Sequence, residues 1–139
     1  MLHQFTKMQG TGNDFVVFNT FTQSLLLTCE QIKHIADRRL GIGCDQVLLL
    51  EPPKNNETDV YYRIFNSDGT EVTQCGNGAR CVAIYLNGKG LIKKNRIIAE
   101  TKSNQLILQI NENNSVTVNM GIPEFEPANI PLNVSERLE

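Results

Sequence analysis

Two stretches of this chain are apolar without a break, while others alternate. Asp14-Phe15-Val16-Val17-Phe18-Asn19-Thr20 is rich in aromatic and β-branched residues and predicts a mostly buried strand. Val47 to Leu50 predicts another, closed by Pro52-Pro53. Further strands are expected at Gln4 to Met8 and Val60 to Phe65, and then at Arg96 to Thr101, Gln105 to Asn111 and Ser115 to Gly121. In Gln105 to Asn111, Leu106, Leu108 and Ile110 share one face, and Ile107 alone interrupts the polar side. Asn113-Asn114 predicts a hairpin turn between the last two strands.

Helical patterns are fewer. Thr28-Cys29-Glu30-Gln31 has capping-box spacing, and Ile32, Ile35, Ala36 and Leu40 then make one apolar face up to Gly41. Ala79 to Leu86 has almost no polar face and stops at Asn87-Gly88, which predicts a short buried helix beginning near Gly78. A helix apolar all round must be covered on most sides. The expected fold class is therefore α+β, a barrel-like mixed sheet curled around a central buried helix. A doubly wound sheet would need regular strand and helix alternation, which the pattern lacks.

Composition narrows the functions. The 139 residues suffice for one domain, and 40% hydrophobic with 20% charged is an ordinary globular balance. A net charge of -2 and dispersed lysines and arginines predict no nucleic-acid partner. Met1 to Lys7 lacks the long apolar run of a signal peptide, and no segment reaches the roughly 18 apolar residues of a membrane span, so no membrane partner and a cytoplasmic location are expected.

The chemistry gathers around Asn66-Ser67-Asp68-Gly69 and the residues that follow, to Cys81. Cys75 stands just ahead of the apolar helix, where the helix dipole favours a thiolate and the first N–H groups can hold a carboxylate. Gly76 and Gly78 let a ligand approach the main chain. Asn13, Gln46, Asn66 and Asn77 lie beside glycines or at strand ends, where neutral amides can bind a small polar ligand or simply close their own turns.

Competing chemistries fit less well. Of the cysteines at 29, 44, 75 and 81, none forms a C-x-x-C pair or has a histidine at zinc spacing, so no metal is implied. Cys29 and Cys81 are expected to be small core residues, and Cys44 in its glycine-rich loop is ambiguous. The Gly-x-Gly elements at Gly10, Gly41 and Gly76 do not continue into a dinucleotide or phosphate motif. His3 and His34 are poorly placed to activate a cysteine hydrolase. A thiolate can also act as a base beside a carboxylate, but a cofactor-free racemase needs a base on each face of the stereocentre.

Met8-Gln9-Gly10-Thr11-Gly12-Asn13-Asp14-Phe15, Gly41-Ile42-Gly43-Cys44-Asp45-Gln46 and the run from Asn66 to Cys81 together resemble the amino-terminal half of diaminopimelate epimerase, over about Phe5 to Pro127. The resemblance implies a cofactor-independent isomerase of lysine and peptidoglycan precursor biosynthesis that interconverts LL- and meso-diaminopimelate, with two cysteines as alternating acid and base. It implies two similar domains, each a barrel-like sheet around a central helix, with the substrate between them. By that resemblance Cys75 is catalytic, the main chain of Gly76 and Asn77 holds the α-carboxylate, and Asn13, Gln46 and Asn66 contact substrate.

The resemblance also implies a second catalytic cysteine in a carboxyl-terminal domain, which these residues do not contain. Residues 1–121 are expected to form the amino-terminal domain and residues 122–139, with three prolines, a linker or tail. The family's closing segment returns to the first domain, so an open sheet edge and a homodimer are expected. The expected partners are thus diaminopimelate, the missing domain and a second copy of the chain, with the isolated chain inactive. The alternative is a non-catalytic half-domain that binds a small carboxylate or a protein. Racemases of other amino acids are a third reading, which the Asn66 to Cys81 run suits less closely.

Overall fold

The computed structural model describes residues 2–10, 12–72, 76–103 and 105–119. Its elements run β1 (Phe5–Gly10), β2 (Asn13–Asn19), α1 (Cys29–Ala36), β3 (Gln46–Glu51), β4 (Val60–Asn66), β5 (Glu71–Val72), α2 (Gly76–Gly88), β6 (Arg96–Glu100), β7 (Gln105–Ile110) and β8 (Val116–Asn119). The strands form one mixed sheet in the order β1-β2-β3-β4-β6-β7-β8, with the short β5 paired to β4 off that path. β2 with β3 and β4 with β6 are parallel pairs, and α1 and α2 supply the crossovers between them.

Strand composition follows from which faces are covered. α2 packs against β1, β7 and β8, so the sheet curls far enough for both of its ends to meet one helix. On that inner face Phe15, Val17, Leu48, Leu50, Tyr62, Ile64, Leu106 and Leu108 close around Ala79, Val82, Ala83 and Leu86. Val16, Phe18, Val47, Leu49 and Phe65 point the other way, toward Ile32 and Ala36 of α1. β2 and β3 are buried on both faces, which is why Phe15 to Phe18 and Val47 to Leu50 are continuously apolar. β7 alternates, with Leu106, Leu108 and Ile110 buried and Ile107 half-buried, because its outer face has no helix over it.

The helix boundaries differ from expectation. α1 starts at its capping box, with Thr28 Oγ1 accepting from Gln31 N and Gln31 Oε1 from Thr28 N. It ends at Ala36, because Asp37 turns extended and its Oδ1 accepts from the backbone of Arg39 and Leu40. Leu40 therefore leaves the apolar face and is 77% exposed, contrary to the periodic reading. Cys29 is likewise exposed and outside the core, as the first residue of α1. α2 begins at Gly76, earlier than expected, and is not apolar all round: Arg80 and Ile84, one turn apart, are exposed. The curled sheet leaves that strip of the helix uncovered.

At the last hairpin Asn114 adopts a φ of 64°, and the backbone of Asn111 and Ser115 closes the turn. The expected end of the last strand at Gly121 and the expected linker over residues 122–139 lie outside the described residues.

Candidate active site

Strand parity places the expected amides on one face. Phe15 of β2, Leu48 of β3 and Ile64 of β4 point at α2, so Asn13, Gln46 and Asn66, two residues away in each strand, share that side. Cross-strand register agrees, since Phe15 pairs with Gln46 and Gln46 with Asn66. Gln46 Nε2 donates to Asn66 Oδ1 at 3.1 Å, and both side chains are half-buried. The sequence gives no sign of that contact, because the residues are twenty positions apart.

The start of α2 meets the same end of the sheet. Asn13 pairs with Gly10 across the β1–β2 turn. A Cβ on Gly10 would lie 3.5 Å from the Asn77 carbonyl oxygen and 3.3 Å from Cys81 Sγ, so this turn packs directly against the start of the helix. Gly76 and Asn77 stand in the first turn of α2, where main-chain N–H groups have no helical carbonyl to donate to. The Asn77 side chain is engaged within the helix, where its Oδ1 accepts from Arg80 at 3.1 Å. Cys75, the expected catalytic cysteine, lies outside the described residues, and in sequence it immediately precedes α2.

The other cysteines fill different places. Cys44 and Cys81 are each 2% exposed, and burial pushes the Cys44 thiol up. Cys29 Sγ lies 3.7 Å from the Asp68 carbonyl oxygen, against Gly69. His3 lines a cavity of about 470 Å³ with Asn19, Tyr85 and Lys89, at the far end of both β2 and α2 from the amides. Among the described residues no group of acidic, histidine or cysteine side chains could hold a metal ion.

One set of residues near the site went unread in the sequence. Asp14 and Asp45, the immediate neighbours of Asn13 and Gln46, bridge the starts of β2 and β3 reciprocally. Asp14 N donates to Asp45 Oδ2 at 3.0 Å, and Asp45 N donates to Asp14 Oδ1 at 2.8 Å. Arg38 and Lys7 close over the pair. The signal in the sequence is an aspartate directly beside each of these two amides.

The model of the diaminopimelate epimerase family matches residues 5–126. The chain belongs to that family. Several solved structures share the fold at low identity. A hydroxyproline epimerase from Agrobacterium vitis, with bound trans-4-OH-L-proline, is 18% identical with a TM-score of 0.64, over 85% of this chain and 41% of that one. A phenazine biosynthesis protein of the PhzF family from Bacillus anthracis is 22% identical with a TM-score of 0.56, over 84% and 38%. A methylitaconate-delta-isomerase is 14% identical with a TM-score of 0.65, over 94% and 68%. The chain thus spans about two fifths of the length of the first two. The curled sheet around α2 is the diaminopimelate epimerase-like fold, and the family is one of epimerase- and isomerase-type enzymes. No described helix is long and apolar enough to cross a membrane.

Proposed function

We propose that these residues form the amino-terminal half of a diaminopimelate epimerase active site, with Cys75 as one of its two bases. The family match supports this reading, and the observation that carries it is the gathering of Asn13, Gln46, Asn66 and the first turn of α2 at one end of the sheet. The main chain of Gly76 and Asn77 takes the α-carboxylate, where the helix dipole favours negative charge. Cys75 removes the α-proton as a thiolate, and the same N–H groups stabilise the charge that develops toward the carboxylate. The neutral amides of Asn13, Gln46 and Asn66 orient the polar substrate without repelling its carboxylates.

Inversion needs a proton delivered to the opposite face. Cys44 and Cys81 are buried and Cys29 packs against the Asp68–Gly69 turn, which supports a second base from polypeptide outside these residues. The 139 residues alone then bind diaminopimelate weakly and do not invert it.

The test is incubation of the chain with LL-diaminopimelate in deuterated water. Backbone amide shifts at Gly76 and Asn77 with no stereoinversion are expected. Deuterium at the α-carbon with full inversion by the chain alone, abolished by Cys75→Ser, would overturn the half-site. An unchanged spectrum at millimolar ligand would instead favour a half-domain with a protein partner.

A further inference from the structure

Lys7, Asp14, Arg38 and Asp45 form one bonded group on the face of the sheet opposite the amides. Asp14 pairs across β1–β2 with Gln9, and Lys7 with the α1-facing Val16, so Lys7 and Asp14 share the outer side. Arg38 holds Asp14 with a fork, Nη1 to Oδ2 at 3.0 Å and Nη2 to Oδ1 at 2.8 Å, and Nη2 also reaches Asp45 Oδ1 at 3.1 Å. Lys7 Nζ donates to Asp14 Oδ2 at 2.7 Å and to the Gly43 carbonyl. Gly43, at a φ of 86°, packs on Arg38, with 3.1 Å between its Cβ position and the Arg38 α-carbon. β1, β2, the turn after α1 and the loop into β3 are thereby tied at one point.

The residues on the other side of that knot are Asn13 and Gln46. Each is covalently next to a member of the knot, and strand parity turns each toward α2. We infer that Lys7, Asp14, Arg38 and Asp45 are positioning residues, which fix the starts of β2 and β3 so that Asn13 and Gln46 present their amides together to the substrate. This deepens the proposed reading of those amides and rests on it. Arg38 and Lys7 also hold the Asp14 carboxyl well below the usual carboxylate range, so the knot stays charged at neutral pH.

The experiment compares Arg38→Gln, Arg38→Lys and Asp14→Asn with the unaltered 139-residue chain, by side-chain amide NMR, diaminopimelate titration and thermal unfolding. Arg38 is 57% exposed, so its loss leaves no cavity and the backbone amides of α2, β6 and β7 should keep their positions. The side-chain NH2 signals of Asn13 and Gln46 should move or broaden in Arg38→Gln, and affinity should fall about tenfold as two side chains lose their fixed orientation. Arg38→Lys should recover only part of this, since an ammonium lacks the fork. Asn13 and Gln46 signals that stay in place in Arg38→Gln and Asp14→Asn would overturn the inference, as would an affinity that falls only in step with thermal stability. If the unaltered chain takes up no diaminopimelate, the site reading fails, and the side-chain amide signals still decide the positioning role.

Discussion

Gln46 and Asn66 face each other across β3 and β4, and the Gln46 side-chain amide donates to Asn66 Oδ1 at 3.1 Å. The pair fixes the orientation of both carboxamides, and the Asn66 NH2 takes no part in that contact. Asn66→Ala removes the pair without touching the backbone turn, in which Asn66 N donates to Thr70 O and Gly69 N to Asn66 O. Its expected cost is about 1 kcal/mol in urea unfolding, with diaminopimelate binding lost in an NMR titration. Unchanged binding would remove Asn66 from the site.

Gly41 is fixed by sterics alone. The chain folds back on the end of α1, with Ile42 N and Gly43 N donating to Ile35 O and Cys44 N to Ala36 O. A Cβ at Gly41 would sit 1.8 Å from the His34 carbonyl oxygen. Since that neighbour is backbone, Gly41→Ala should cost about 3 kcal/mol, measured as a fall in the urea midpoint at constant slope. A shift too small to resolve would mean that the turn repacks freely.

The cysteines should separate by rate of alkylation in the folded protein. Cys29 is exposed and should react, while Cys44 and Cys81 are buried and should label only on unfolding. If Cys75 is the base, diaminopimelate should slow its alkylation and leave Cys29 unchanged. Mass spectrometry of peptides from timed iodoacetamide reactions reads all four cysteines. Labelling of Cys81 at the rate of Cys29 would contradict the packing around α2.

The sequence pattern carries most of this fold because covered faces leave their mark on it. Phe15 to Phe18 and Val47 to Leu50 are apolar on both faces since α1 and α2 lie on opposite sides of β2 and β3. β5, with two residues, is too short to have a period, and Leu40 fits the helical period although Asp37 has already ended the helix. The amides at 13, 46 and 66 could be named from their neighbours, but their common face depends on strand register. The Arg38 fork onto Asp14 is a tertiary contact over 24 positions, and local sequence has no term for it.

The ends of the sheet give a prediction about association. Among the described residues β1 pairs only with β2 and β8 only with β7, and Ile84 of α2 is 48% exposed where the curled sheet fails to close. Unpaired strand edges beside exposed apolar surface favour pairing with another chain. Sedimentation velocity should show self-association that rises with concentration. A single monomeric species at high concentration would count against it.

Asp14 should make stability fall steeply in acid. Arg38 comes first and Lys7 second in holding its carboxyl below the usual range, by hydrogen bonds to the ionised form. In the unfolded chain the same group titrates at about pH 4. The folded form is the poorer proton binder, so the contribution is fully present above that value. It is lost progressively as pH falls from about 4 toward the lower folded value. Asp37 and Asp68, held low by backbone and side-chain hydrogen bonds, act in the same direction, so the informative quantity is the difference from Asp14→Asn. Denaturant melts should show a shallower acid decline in Asp14→Asn than in the unaltered chain, with a constant gap between the two curves above about pH 4 that closes as pH falls below it. Because Lys7 and Arg38 are largely exposed, molar salt should narrow that gap. Parallel curves from neutral pH down to the acid limit would show that the Arg38 fork contributes nothing to stability.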